Sequence, residues 1–144
     1  MRYFIDTNIF IFLGGSPDEI SPEVRDLIHD YENTFVMSSE SLREILMLLK
    51  NGRIQVKEWR SYSDIKAMID AFGFVIRYVD EEHLKTLDKL NPAPNHSDPA
   101  DLMIIAQAIT ENLPLISSDT KFPFYTRQGL QFLANKPQPS KGKK

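Results

Sequence analysis

Short β-prone runs alternate with longer stretches of helical period along this chain. That alternation restricts it to an α/β fold with a mainly parallel central sheet flanked by helices. Tyr3-Phe4-Ile5 is apolar on both faces, as a strand covered from both sides requires, and it stops at Asp6. A helical turn is expected to begin at Thr7 and Asn8. Ser21-Pro22-Glu23 opens a helix with a hydroxyl cap, a proline at the first helical position and an acid facing the helix dipole. Val24, Leu27, Ile28 and Tyr31 follow at helical spacing and put its end near Glu32-Asn33. Thr34 to Met37 reads as a second strand, and Ser38-Ser39 starts a helix that runs through Leu42, Ile45 and Leu49 to Asn51-Gly52. The pattern then predicts a helix over 63–72, a strand over 74–79, a helix over 80–90 and a Pro- and Asn-rich loop over 91–97. Asp98-Pro99-Ala100-Asp101 opens a further helix ending near Asn112, and strands follow at Leu115 to Ser117 and over 130–133.

A chain of 144 residues suits one domain. With 42% hydrophobic and 26% charged residues it has the composition of an ordinary globular domain. Residues 1–133 are the expected domain. Residues 134–144 contain two Pro and four Lys with almost nothing to bury, and are expected to be a disordered basic tail. The absence of Cys excludes a disulfide framework, a thiol nucleophile and Cys-based zinc sites. The first residues lack the charge and apolar run of an export signal, and no stretch reaches the roughly 18 apolar residues of a membrane helix. The expected location is therefore the cytoplasm. Up to Leu133 there are 13 basic against 20 acidic residues, a net charge of −7. Such a body does not hold nucleic acid by net attraction unless some of its acids are gathered around metal cations.

The placement of four acids carries the chemical information. Asp6 ends the first strand, Glu44 lies early in the helix after the second, Asp101 is in the first turn of a later helix, and Asp119 follows a strand. All four are expected at the carboxyl ends of strands, where open parallel sheets bind ligands. Clustered carboxylates either rise in pKa or take up a cation. His29, His83 and His96 do not stand at ligand spacing with these acids, so the expected site is all oxygen and suits Mg²⁺ or Mn²⁺. Such an ion serves the hydrolysis of a phosphodiester.

These residues resemble the PIN-domain nucleases, and in particular the VapC-type toxins of type II toxin–antitoxin systems. The resemblance spans about 2–133. It is carried by FIDTN at 4–8, SSESLREI at 38–45, HSDPADLMIIAQA at 96–108 and LPLISSDTKFPFY at 113–125, in that order. It implies a single-domain, Mg²⁺- or Mn²⁺-dependent ribonuclease acting on RNA, a homodimer, inhibited by a small antitoxin. Carried over by position, it makes Asp6, Glu44 and Asp101 the metal-binding acids and Asp119 a more variable fourth. Thr7, Asn8 and Ser117 become the polar groups that fix the carboxylates. Asp98 matches a subgroup with Asp-Pro before its metal acid, and is a possible ligand. That subgroup commonly has Arg directly after the acid, where this chain has Leu102.

Plainer readings stand beside these. Asp98 and Asp101 can simply cap a helix around Pro99, Asp6 can end a strand, and Asp119 can form a turn with Thr120. His96 reads as a surface residue or a substrate contact. Trp59, Phe72, Phe74 and Tyr78 read as core or interface. Arg43, Lys50, Arg53, Lys57, Arg60 and Lys66 could clamp RNA phosphates or form a solvated face. The alternatives to a ribonuclease are a catalytically silent PIN-like binding module and an acidic-pocket Mg²⁺-dependent phosphatase. The phosphatase usually needs a second Asp two residues after the first, and that position is Asn8. An apolar helix from Leu42 to Leu49 points to a partner subunit.

Overall fold

The computed structural model describes residues 1–136 and contains one sheet of five parallel strands in the order β3-β2-β1-β4-β5. The strands are β1 (Arg2–Ile5), β2 (Thr34–Ser38), β3 (Val75–Arg77), β4 (Leu115–Ser117) and β5 (Phe132–Ala134). The helices are α1 (Thr7–Gly15), α2 (Pro22–His29), α3 (Ser39–Lys50), α4 (Tyr62–Phe72), α5 (Glu81–Lys89) and α6 (Pro99–Glu111). Short 3-10 turns occupy Pro17–Glu19 and Phe122–Gln128. None of the helices among the described residues is long and apolar enough to cross a membrane.

The period-2 geometry of the strands divides the core into two layers. Ile5, Met37 and Ile116 face one cluster with Ile9, Phe10, Ile45, Trp59 and Ile69. Their neighbours Phe4, Val36 and Leu115 face a second with Ile104, Ile105, Phe122 and Tyr125. Both faces are apolar because both are covered, which is why these runs do not alternate with polar residues. The chain winds outward from β1 through β2 to β3, then returns to the other side of β1 for β4 and β5. The direction of winding therefore reverses between β1 and β4, and a crevice opens at their carboxyl ends.

Four expected boundaries shift for identifiable reasons. The turn expected at Thr7 and Asn8 is a full nine-residue helix, α1, although Ile9, Phe10, Ile11 and Phe12 are β-prone residues. Burial of Ile9 and Phe10 and the Asp6 cap override that propensity. α2 stops at His29, short of Glu32-Asn33, and Tyr31 is fully exposed rather than on the apolar face. β3 is the three-residue edge Val75–Arg77 and not 74–79; Phe74 packs in the core ahead of it, and Tyr78 is exposed. The last strand is displaced from 130–133 to Phe132–Ala134, because Gly129 takes a left-handed φ of 105° and turns Leu130 into the second core cluster.

The domain boundary placed after Leu133 thus falls inside β5, and Asn135 beyond it is buried. Its Oδ1 accepts from Ser21 N (2.7 Å), and its Nδ2 donates to Glu19 O (2.8 Å) and Ser118 Oγ (2.7 Å). The expected tail from 137 onward lies outside the described residues. Replacing Asn135 by Ala leaves the buried N–H of Ser21 without its acceptor. We expect Asn135→Ala to lower stability by about 1–3 kcal/mol, measurable as an earlier urea midpoint with an unchanged slope.

Candidate functional site

Asp6 follows β1 directly, at the point where the winding reverses, and is buried. Its Oδ1 accepts from Ile9 N (3.0 Å), so it is the N-cap of α1. Its Oδ2 accepts from Ser117 Oγ (2.5 Å), the last residue of β4. Ser117 Oγ in turn accepts from Asp119 N (3.0 Å), which shapes the turn that carries Asp119. Glu44 reaches the same crevice from α3. Its helix starts at Ser38, whose Oγ accepts from Glu40 N, so Ser41 is not the cap. Ser41 instead meets Thr7 Oγ1 at 2.9 Å, joining α3 to α1 one turn before Glu44.

Asp6, Glu44, Asp98, Asp101 and Asp119 line one pocket of about 430 Å³, whose every lining residue is polar or charged. The structure thus brings together all four acids singled out in the sequence. Asp101 and Asp119 form the tightest group, with His96: one ligand atom from each lies within 4.8 Å of the others. Asp98 is both cap and wall. Its Oδ1 accepts from Ala100 N (2.9 Å) and Asp101 N (3.2 Å) at the start of α6, while the side chain borders the pocket. Of the three polar groups expected to fix carboxylates, Ser117 bonds Asp6 directly, and the Thr7 hydroxyl, which meets Ser41, also lies against the Glu44 carboxyl. Asn8 is an exposed pocket residue with no hydrogen bond to any of the acids among the described residues.

His96 departs from the sequence reading. It was not expected at ligand spacing with the acids, yet its Nε2 lies 3.2 Å from Asp101 Oδ2. It is 4% exposed, not a surface residue, because its loop folds inward against Phe122 and Tyr125. Its five-residue separation from Asp101, with a helix start between, was the available signal. His83 is buried elsewhere, against Asp80 and Glu111, and His29 is exposed. Lys121 is the only basic side chain lining the pocket among the described residues, and its Nζ donates to Asn95 O (3.2 Å). Of the basic stretch, Arg43 pairs with Glu40 and Lys66 with Asp70 on their own helices. Leu102 packs against the second core cluster, so it makes no polar contact.

The electrostatics show the strain of gathering these acids. Burial pushes the Asp6 carboxyl from 3.8 up to about 7, with Asp101 and Asp119 adding to the rise against the bonds from Ser117 and Ile9. Burial likewise raises Asp101 to about 6, with the His96 contact opposing it and Asp98 and Asp119 reinforcing it. Glu44 is raised by burial and by Asp98, with the Thr7 hydroxyl opposing. Glu44 Oε1 is buried without a hydrogen-bond partner. Crowded carboxylates, one with an unpartnered buried oxygen, are a donor set that fits a hard divalent cation.

A parallel α/β domain with a carboxylate pocket at its winding reversal is the class that fold and site define. The chain belongs to the PIN domain family, whose model matches residues 3–127. Its fold is that of solved VapBC structures. A chain of VapBC-1 from nontypeable Haemophilus influenzae is 24% identical, with a TM-score of 0.66, covering 93% of this chain and 98% of that one. A chain of VapBC2 from Rickettsia felis bound to a promoter DNA fragment is 17% identical, with a TM-score of 0.64 and the same coverage of 93% and 98%. A chain of VapBC-5 from Mycobacterium tuberculosis, a member of the VapBC family of toxin–antitoxin systems, is 15% identical, with a TM-score of 0.57, covering 94% and 98%. No curated protein sequence matches the chain.

The raised carboxyls fix a pH dependence. Between about pH 4 and 7 the folded chain retains protons on Asp6 and Asp101 that the unfolded chain has released. Stability contributed by those protons is present below the unfolded value and is lost as pH rises through the folded values. The melting temperature of chelator-treated protein should therefore fall as pH rises from about 4 to about 7, apart from other titrations. Millimolar Mg²⁺ or Mn²⁺ should reverse the fall most strongly at the upper end and above, where the fewest protons compete for the carboxylates. A melting curve indifferent to metal throughout would contradict the cation fit.

Proposed function

We propose that this chain is a divalent-metal-dependent endoribonuclease, the toxin of a VapBC-type pair, which hydrolyses RNA phosphodiesters and is held inactive by a small antitoxin. The observation that carries the reading is the convergence of Asp6, Glu44, Asp101 and Asp119 on one all-polar pocket at the winding reversal of the sheet. Membership of the PIN domain family and the shared fold with VapBC structures support it. Asp6 and Asp101 hold the cation in this reading, with Ser117 keeping Asp6 turned inward. Glu44, through its unpartnered Oε1, and Asp119 hold a second cation or orient the attacking water. A bound Mg²⁺ or Mn²⁺ supplies positive charge to the phosphate oxygens and makes water a stronger acid. Lys121 at the pocket wall offers a donor to a flanking phosphate, the role that the residue at Leu102 cannot fill.

The test uses protein purified free of antitoxin, with Mn²⁺ and a pool of structured RNAs. Asp6→Asn keeps the shape and removes a charge, and we expect cleavage to fall by roughly 10²–10³. Asp98→Asn should cost far less, because Asn caps a helix about as well as Asp. If Asp98→Asn is as inactive as Asp6→Asn, Asp98 is a ligand. Metal binding without cleavage of any RNA identifies a silent binding module, and hydrolysis of phosphomonoesters alone identifies a phosphatase.

The same reading includes a twofold dimer in the cytoplasm. On α3, Leu46, Leu48 and Leu49 are only partly buried and Met47 is exposed, so one chain leaves part of that apolar helix uncovered. The antitoxin would block the pocket most simply by placing an Arg or Lys against the carboxylates. Light scattering at tens of micromolar should give twice the chain mass of 16.6 kDa. A monomer there would remove the dimer and leave the catalytic reading untouched.

A further inference from the structure

His96 sits between two groups whose hydrogen bonds determine where its proton lies. On one side its Nδ1 is 2.7 Å from the Tyr125 hydroxyl. That hydroxyl already accepts from Ala93 N (2.8 Å), so its own proton is free to be donated, and His96 Nδ1 is the acceptor within reach. A neutral ring that accepts at Nδ1 carries its proton on Nε2, and that N–H donates to Asp101 Oδ2 at 3.2 Å. The ring cannot easily turn away. Tyr125 and Phe122 are both fully buried in the 3-10 turn, with their rings 5.5 and 6.0 Å from the imidazole.

The receiving carboxylate needs this bond. Among the described residues the Asp101 side chain has no other hydrogen-bond donor, while Asp98 and Asp119 repel it. Without His96 it is free to rotate out of the pocket. The same tautomer leaves neither imidazole nitrogen with a lone pair for a cation, although His96, Asp101 and Asp119 lie close enough to suggest a mixed ligand set. We propose that His96 is a positioning residue, clamped by Tyr125, whose Nε2–H holds the Asp101 carboxylate toward the bound cation. The cation part of this rests on the metal-centre reading above; the relay from Ala93 through Tyr125 and His96 to Asp101 does not.

Two measurements on the full chain test it. The first is nitrogen NMR of the imidazoles, recorded metal-free and then with Mg²⁺, at about pH 8 so that ordinary imidazoles are neutral. The expected result is a proton on His96 Nε2 in both states. A proton on Nδ1, or on both nitrogens, in the metal-free protein overturns the relay. Loss of the Nε2 proton when Mg²⁺ is added makes the ring a direct ligand and also overturns it.

The second is calorimetric titration with Mn²⁺ alone of wild type, His96→Gln and His96→Asn. Gln carries an amide N–H near the place of Nε2, whereas Asn reaches only as far as Nδ1. We expect His96→Asn to weaken Mn²⁺ binding by about 10–100-fold, the usual cost of losing a group that orients a metal ligand. His96→Gln should retain most of the affinity. Equal losses in the two variants, or none in either, reduce His96 to packing and overturn the proposal. If His96→Asn does not fold, the tautomer decides alone. If the wild type itself takes up no Mn²⁺, the metal-centre reading and the positioning role toward a cation both fail, and the metal-free tautomer still decides whether the relay exists.

Discussion

The structure turns on the short hydrogen bond from Ser117 to Asp6. It joins the ends of β1 and β4, the neighbouring strands between which the winding reverses. Asp6 uses its other oxygen to cap α1, so one buried carboxylate closes a strand, starts a helix and forms the floor of the pocket. A buried acid without such partners would cost several kcal/mol. Here the cost is only partly offset, and the residue remains high in pKa.

The surrounding polar groups separate by what they hold. Ser117 and the Asp119 turn share one hydroxyl, so the position of Asp119 depends on the same strand end as that of Asp6. Thr7 and Ser41 lock α1 to α3 and thereby place Glu44 one turn farther along. Asp98 begins α6 and delivers Asp101 on its first turn. Each acid is thus carried by a strand end or by the first two turns of a helix that packs on the apolar core. The arrangement concentrates like charge where the backbone is best supported, at some expense of stability.

The parallel α/β architecture and the strand-end positions of Asp6 and Asp119 were legible in the sequence for a common reason, while Glu44 stood out as an acid in an apolar helix and Asp101 as one in the first turn of a helix. Buried parallel strands need apolar residues on both faces, and the chain signals the end of each with a polar residue at the carboxyl end. Phe4 and Ile5 before Asp6, and Leu115 and Ile116 before Ser117, carry that signal plainly. The helix start at Asp98-Pro99 is equally local, since a capping side chain reads only the next three residues. Where local preference and tertiary packing disagree, as in α1, the sequence pattern points to less helix than forms.

What the sequence by itself determined is therefore the order of elements, the two-sided core and which acids stand at strand ends or in the first two turns of helices, because these depend on neighbours within a few residues. Only the tertiary structure decided the strand order, which puts β4 beside β1, and the bonds that follow from it: Ser117 to Asp6 and Asn135 to Ser21. His96 belongs to the same group. Its nearness to Asp101 along the chain was the one local hint, and its burial and orientation come from Tyr125, 29 residues away. Contacts of that range are set by how two layers pack on one sheet, and the pairwise pattern of a chain does not contain them.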